Sequence, residues 1–436
     1  LRHVSDVVVS PGFAPDHPLV TAAVAAGLEV YSEPELAWRL RRPRQDGVPA
    51  PWLAVTGTNG KTTTVTMLEA VLRAQGWRTA ALGNVGEPLV DAVLKPPAEQ
   101  YDVIAVELSS FQLHWSSQLA PRAGALLNLA DDHLDWHGGF DRYAAAKTEI
   151  WRAAGAADGD RTGVRDGDRT GGDRDVDRAG GDRAGAFAVG NSDDPRVAEL
   201  LAAVPGGVGF TLSEPAPSQF GIADDVLVDR AFGGGAFGDA VELMPVAEIR
   251  LAGRHNLANA LAAAALARGY GAAPEAVRSG LAGYAPQPHR NAPVATVGGV
   301  SYVDDSKATN PHAAASSLRA YPRVVWLAGG QLKGVDVEDL VSGVADRLVG
   351  VVLIGVDRAQ IADAVRRHAP QVPLTDVPRT DDGAMAEAVA AAMAMARPGD
   401  TVLLAPAAAS YDMFSGYVDR GRQFATAVAG LPPARG

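Results

Sequence analysis

Short, almost uninterrupted apolar runs recur along this chain with helical stretches between them, and that alternation restricts the fold more than any other feature. The runs are Val7–Val9, Trp52–Val55, Val103–Glu107, Ala125–Leu129, Val324–Leu327, Val351–Ile354 and Val402–Leu404. Helical patterns cover Thr63–Ala74, Leu257–Arg268 and Ala384–Arg397. Strands that are apolar on both faces belong in parallel sheets covered by helices, so the pattern predicts an α/β fold. Ligands in such sheets sit beyond the carboxyl ends of the strands, which makes the residues after each run the place to look for chemistry.

At 436 residues the chain is long enough for about three domains. A polar, Pro-containing stretch at Arg41–Pro49 and a stiffer joint at Pro286-Gln287-Pro288 mark the expected boundaries: 1–49, 50–285 and 286–436. The first piece is too short for a complete α/β domain and starts directly on a strand, so an incomplete N-terminal domain is expected. A net charge of −12 disfavours nucleic acid or an anionic membrane as a partner. The absence of Cys excludes thiolate metal sites, disulfides and a Cys nucleophile. With no signal-peptide pattern and no apolar run of membrane length, a cytoplasmic protein is expected. The segment Gly155–Gly185 is mostly Gly, Asp, Arg and Ala, with Gly-Asp-Arg repeated. Its Asp residues cancel its Arg charge, so a disordered surface insert is expected rather than a basic nucleic-acid patch.

The strongest motif is Gly57-Thr58-Asn59-Gly60-Lys61-Thr62-Thr63, between a strand and a helix. Glycines let backbone N–H groups approach phosphate oxygens and the helix start adds its dipole. Lys61 would reach the β/γ-phosphates and Thr62 would ligate Mg²⁺. The usual P-loop spacing is not met, because Val55 stands where its first Gly belongs; the bland alternative is a Gly-rich turn with an exposed Lys. Glu107, at the next strand end, is either a Mg²⁺ ligand or a surface cap. Asp131-Asp132-His133-Leu134-Asp135-Trp136-His137 has the density of a metal or phosphate site, with His133 as the ligand and His137 expected to be solvated. Lys147 lies in a predicted amphipathic helix, Tyr143–Arg152, where a lysine ordinarily faces solvent. Asn256 could cap the Ala-rich helix, with Asn259 one turn on. Arg290 follows the second joint and suits either a phosphate contact or an interdomain ion pair. Asp304–Pro311 and Ala405–Asp412 place polar groups at two further strand ends.

In order and spacing these motifs resemble the Mur ligase family over essentially the whole chain. The Gly57–Thr63 loop is shared across that superfamily, folylpolyglutamate synthases included. Ser-Ser-Phe-Gln-Leu at 109–113 and Asp-Ser-Lys-Ala-Thr-Asn at 305–310 are more specific and resemble its D-glutamate-adding branch. The resemblance implies three domains: one for a UDP-sugar, a central P-loop ATPase-like domain and a C-terminal Rossmann-like domain for the amino acid. It implies ATP-dependent addition of D-glutamate to UDP-N-acetylmuramoyl-L-alanine through an acyl phosphate, for peptidoglycan precursor synthesis, by a monomer acting on small molecules. Lys61, Glu107, His133, Lys147 and Lys307 would be catalytic. Two Mg²⁺ ions would be held among Thr62, Glu107, His133 and Lys147, the last carbamylated. Beyond the phosphate loop, Asn256, Asn259, Arg290 and Asp305 would bind ATP. Ser10, Pro11, Gly12, Asn84 and His133 would touch the UDP-sugar, and Thr309, Lys333, Ser410 and Tyr411 the D-glutamate. Three departures stand out: the family's first strand and uridine-binding turn do not precede Leu1, the Gly155–Gly185 insert is unusual, and Tyr417 replaces Phe. The rival readings are another Mur-type or folylpolyglutamate ligase, and a P-loop nucleotide switch without ligase activity.

Overall fold

The computed structural model describes residues 4–10, 13–155, 185–233, 240–251, 253–285, 288–381 and 383–432. The expected insert, the Pro286-Gln287 joint, Pro11 and Gly12 therefore lie outside the described residues, apart from the insert's two end positions. The chain divides into two compact units, 1–250 with 256–284, and 251–255 with 285–436.

The first unit holds two sheets. A small parallel pair is made by β1 (Asp6–Val9) and β2 (Glu29–Ser32). The larger sheet contains β3 (Trp52–Thr56), β4 (Ala81–Gly83), β5 (Ile104–Glu107), β6 (Ala123–Leu126), β7 (Phe187–Asn191), β8 (Val208–Phe210), β9 (Gln219–Ala223), β10 (Val226–Asp229) and β11 (Val241–Pro245). Its order is β11-β10-β9-β8-β7-β6-β3-β5-β4. Pairing is parallel from β4 through to β9 and antiparallel for β9-β10-β11. The expected all-parallel sheet thus gains an antiparallel edge. After β3 the chain builds β4 and β5 on one side, then crosses to place β6 on the other. The carboxyl end of β3 is therefore a topological switch point, where a crevice opens between oppositely directed crossovers. Trp52–Val55 are fully buried, as a central parallel strand requires.

The second unit has one sheet: β12 (Ala292–Val297), β13 (Val300–Asp304), β14 (Val324–Gly329), β15 (Leu348–Ile354), β16 (Leu374–Asp376) and β17 (Thr401–Leu404). The order is β12-β13-β17-β14-β15-β16, parallel except for the β12–β13 hairpin. Here β17 returns last and slots between β13 and β14, so these three strand ends lie side by side. Apolar clusters cover both faces, one around Trp326, Leu340 and Leu353 and the other around Leu327, Val389 and Phe424.

Several expected boundaries move. The run Ala125–Leu129 pairs as Ala123–Leu126, leaving Leu127–Leu129 in the site loop. The expected helix Tyr143–Arg152 is Phe140–Thr148, then a 3₁₀ turn at Glu149–Trp151 and a short helix from Arg152. The Ala-rich helix spans Arg254–Tyr270, so Asn256 lies inside its first turn and does not cap it. No helix among the described residues is long and apolar enough to cross a membrane.

Candidate active site

The helix Lys61–Ala74 starts from Gly60, at φ +82°, with no side chain capping it. A helix start presents N–H groups and the positive end of its dipole, which is how such a turn receives phosphate. Gly60 is obligatory on two counts: its backbone is left-handed, and a Cβ there would stand 2.4 Å from Asn259 Oδ1. Asn128 fixes the loop from the far side, accepting from Asn59 N at 2.8 Å and donating to Asn59 O at 3.1 Å. Thr58 Oγ1 meets Tyr143 Oη at 2.8 Å and accepts from Ala130 N at 3.0 Å. Lys61 Nζ donates to Gly57 O and Thr58 O, each at 2.9 Å.

Behind the loop, Asn259 Oδ1 accepts from Thr64 Oγ1 at 3.2 Å and Asn259 Nδ2 donates to Asn256 Oδ1 at 3.3 Å. The sequence-predicted Asn pair thus braces the first turn of the phosphate helix. Both side chains are buried.

Beside it sits a buried polar cluster at the ends of β3 and β5. Glu107 is 2% exposed, which removes the surface-cap reading. One carboxylate oxygen accepts from Thr62 Oγ1 and the other from Asn84 Nδ2 at 3.0 Å. Asn84 thereby serves as a support for Glu107. Lys147 is equally buried, overturning the solvated-face reading of this residue. Its Nζ donates to Gly57 O at 2.8 Å and reaches Thr56 Oγ1 at 3.5 Å. Burial drives its pKa well below the ordinary lysine value and the nearby Lys61 charge adds to this, while Asp132 and Glu107 oppose it. The amine is held in a setting that favours its neutral, nucleophilic form.

The Asp-rich turn is arranged less tightly. His133 adopts φ +52°, with its side chain 49% exposed, its ring 4.6 Å from that of Phe111 and Nε2 3.5 Å from Asp132 Oδ1. His137, expected in solvent, is buried and pairs with Ser110 Oγ at 3.0 Å. Among the described residues no three His, Asp or Glu side chains group closely enough to enclose a metal. The donors present, a threonine hydroxyl and a carboxylate, still suit Mg²⁺, which keeps several waters and shares its shell with phosphate oxygens. Ser10 lies exposed at the end of β1.

In the second unit the three adjacent strand ends carry the other predicted residues. Lys307 and Thr309 follow β13, Lys333 follows β14, and Ser410 and Tyr411 follow β17. Reciprocal bonds between Gln331 and Ala409, both 2.9 Å, tie the last two loops together. Ala407 N donates to Ala308 O at 2.9 Å, tying the first to the third. Lys333 is exposed at φ +54°, Ser410 is buried and Tyr411 is 72% exposed. Lys307 Nζ lies 4.1 Å above the ring of Tyr417.

Asp305 accepts from Asn291 N at 3.1 Å and from Ser317 Oγ, and desolvation raises its pKa to about 6. The charge of Arg290 opposes that rise. Neighbouring Asp304 takes a 2.6 Å contact from His289 Nδ1.

Sequence reasoning left Arg420 out of the site. It is fully buried, with Nε on Ser306 Oγ at 2.9 Å, Nη2 on Ser306 O at 2.8 Å and Nη1 on Ala408 O at 3.1 Å. One guanidinium therefore joins the loops after β13 and β17. Asn128 was also missed, although a lone Asn inside Leu126-Leu127-Asn128-Leu129 was a readable signal of a strand end.

A phosphate loop at one switch point, and amine- and hydroxyl-bearing loops at another, define an ATP-using ligase architecture. Residues 55–163 match the Mur ligase middle domain and residues 289–408 match the Mur ligase glutamate ligase domain. The chain belongs to the Mur ligase family. Within that family it is 53% identical, over 98% of its length and 84% of the relative, to the UDP-N-acetylmuramoylalanine--D-glutamate ligase of Thermobifida fusca. It is 48% identical to the enzyme of that name from Mycobacterium tuberculosis (97% and 83% covered). Among solved structures it is similar in fold to the MurF ligase of Thermotoga maritima in complex with ADP (TM-score 0.58, 18% identity, 98% and 96% covered). Escherichia coli FolC in complex with ADP shares the fold too (TM-score 0.56, 18% identity, 91% and 92% covered).

Proposed function

We propose that this chain is an ATP-dependent ligase that forms an amide between UDP-N-acetylmuramoyl-L-alanine and D-glutamate, for peptidoglycan precursor synthesis. The single observation that carries the acceptor and amino acid is the 53% identity to a ligase of that name over nearly the whole chain. What supports the chemistry is the buried cluster of Thr62, Glu107 and Lys147, with half-buried Lys61, around the phosphate loop.

A carboxylate oxygen of the alanyl group attacks the γ-phosphorus of ATP while the bond to ADP breaks. The amine of D-glutamate then attacks the acyl phosphate, loses a proton, and phosphate departs. Phosphoryl transfer chiefly needs positioning and charge neutralisation. Lys61 and the N–H groups of the helix start hold the phosphates, with Asn128 and Asn259 keeping the loop in shape. Thr62 and Glu107 are the residues to hold Mg²⁺, which supplies charge neutralisation when bound. Lys147 is proposed to be carbamylated: its neutral buried amine can add to the carbon of CO₂ and lose a proton to solvent, leaving a carbamate whose oxygens are donors where an ammonium would have none. A second Mg²⁺ and a ligand role for His133 belong to the same proposal. Asn256, Asn259, Arg290 and Asp305 are assigned to the nucleotide. Ser10, Pro11, Gly12, Asn84 and His133 go to the UDP-sugar, and Thr309, Lys333, Ser410 and Tyr411, with Lys307, to D-glutamate. The proposed division is residues 1–49 for the UDP-sugar, 50–285 for ATP and 286–436 for the amino acid. The protein is proposed to act as a cytoplasmic monomer on small molecules, without nucleic acid or membrane partners.

Phosphate release with ATP, UDP-N-acetylmuramoyl-L-alanine and a panel of amino acids tests the reading. D-glutamate should be strongly preferred; an equal or better alternative amino acid refutes the assignment. A folylpolyglutamate ligase would need a folate acceptor, and a nucleotide switch would hydrolyse ATP regardless of amino acid.

A further inference from the structure

Lys333, proposed to hold the amino acid, sits on a turn whose shape is imposed from outside. Its backbone is left-handed at φ +54°, a region that a residue with a Cβ enters only where its surroundings hold it there. The segment leading into it is fixed from two sides. On one side Gln331 exchanges both its backbone bonds with Ala409, in the loop after β17. On the other, Asp357 in the loop after β15 holds it at two points. Asp357 N donates to Gly330 O at 3.1 Å, and Leu332 N donates to Asp357 Oδ2 at 2.8 Å. Leu332 is buried and Lys333, the next residue, is exposed, so this anchored peptide is the last fixed point before the lysine.

Asp357 is itself held. Asp412, two residues beyond Ser410, accepts from Val356 N at 2.9 Å. A Cβ on Gly355, at φ +83°, would stand 2.5 Å from Gly330 N and Cα and 2.7 Å from Asp412 Oδ2, so the loops after β14, β15 and β17 meet backbone to backbone. Asp357 is also the N-cap residue of the helix Arg358–His368, where an aspartate ordinarily accepts from the N–H groups of its own first turn. This side chain makes no such bond. Its carboxylate is turned across to the loop of the neighbouring strand, and its own helix start goes without the cap.

We propose that Asp357 is a positioning residue for amino-acid binding: by fixing Leu332 N it sets the turn that presents the Lys333 ammonium to a carboxylate of the incoming amino acid. The inference rests on the assignment of Lys333 to that substrate. Asp357 acts through the lysine and not on the amino acid itself.

The test is steady-state phosphate release by the full chain, with the amino acid varied at saturating ATP and UDP-N-acetylmuramoyl-L-alanine. The proteins compared are the parent, Asp357→Ala, Asp357→Ser, Asp357→Asn, Lys333→Ala and the Asp357→Ala/Lys333→Ala double variant. The amino acid is whichever the parent prefers, so a preference other than D-glutamate refutes the ligase assignment and leaves this comparison readable. Asp357→Ala should raise KM for the amino acid at least about 10-fold, as loss of a charge-assisted hydrogen bond implies, with kcat and the KM for ATP within about 2-fold of the parent. Asp357→Ser can cap its helix but is too short to reach Leu332 N, so it should show the same rise and carries the test if the alanine variant fails to fold. Asp357→Asn, whose amide oxygen still accepts from Leu332 N, should recover most of the loss. In the Lys333→Ala background, Asp357→Ala should change kcat/KM for the amino acid by less than about 2-fold. A normal KM in folded Asp357→Ala and Asp357→Ser, an equal rise in the KM for ATP, or a loss that persists in full in the Lys333→Ala background each overturns the proposal. A normal KM in Lys333→Ala refutes the assignment of that lysine, and the inference with it.

Discussion

Replacing Arg420 by Met separates holding the fold from holding the site. The guanidinium is wholly enclosed and makes three hydrogen bonds, two of them to the carbonyls of Ser306 and Ala408. Met fills much of the same volume but donates nothing. Two buried carbonyls left without that donor cost about 1–3 kcal/mol each, so about 2–6 in total. Ser306 Oγ keeps its 2.8 Å bond to Tyr417 O and adds little. Against this stands the cost of burying the charge: desolvation brings the Arg420 pKa from 12.5 down to about 10, which corresponds to about 3 kcal/mol. The net loss is therefore small, between about −1 and 3 kcal/mol. In a unit of roughly 150 residues that lowers Tm by no more than about 12 °C.

Activity should respond differently. Arg420 is the side chain that ties Ser306, next to Lys307, to Ala408, two residues before Ser410. A displacement of about 1 Å in reacting groups costs on the order of 100-fold. Arg420→Met should therefore lose about 100-fold in kcat/KM for D-glutamate while staying folded at 25 °C. Arg420→Lys should recover part of this, because it retains a donor but not the planar fork. Calorimetry with steady-state kinetics, amino acid varied at saturating ATP, reads both quantities. Near-normal kcat/KM in folded Arg420→Met would refute the positioning role. A drop in stability well beyond 3 kcal/mol with normal turnover of the folded fraction would show that the guanidinium serves the core instead.

Lys61→Ala should abolish ligation with little change in Tm, since this half-buried side chain spends its ammonium on the carbonyls of Gly57 and Thr58 in the loop itself; turnover in the folded variant would remove it from the mechanism. Lys147→Ala should be nearly inactive and partly rescued by short-chain carboxylates, whereas Lys147→Arg should not be rescued. Full activity of the alanine variant without added carboxylate would sink the carbamate. For Asp305, a folded pKa raised from 3.8 to about 6 means stability that is present below pH 4 and lost as pH rises through 6. Asp305→Asn should therefore gain on the parent by up to about 3 kcal/mol between pH 4 and pH 7 in denaturant titrations, and parallel pH curves would contradict this.

The phosphate loop, Glu107 and the loops after β13 and β17 were legible because a parallel strand announces itself as an apolar run and its ligand-facing end as the first polar residues beyond it. The end of β6 was misplaced for a related reason. Leu127 is buried like the strand before it, and hydropathy does not register where ladder pairing stops. The antiparallel β9–β11 edge escaped notice because Gln219–Ala223 and Val241–Pro245 are only partly buried and so do not read as continuous apolar runs.

Lys147, His137 and Arg420 share one cause of illegibility. Periodicity sorts a helix into an apolar face toward the core and a polar face toward water, and all three residues fall on the polar side of that division. In the folded chain that polar face meets the carboxyl edge of a sheet, where Gly57 O, Ser110 Oγ and the Ser306 and Ala408 carbonyls take the place of solvent. A lysine amine and an arginine enclosed with no carboxylate among the described residues in ion-pair contact oppose stability unless something else selects for them. They are found where strand-end loops must be held still against charged ligands. Burial of a basic side chain without a direct ion pair is thus the mark that separates Lys147 and Arg420 from ordinary helix-surface charges, and only the fold makes it visible.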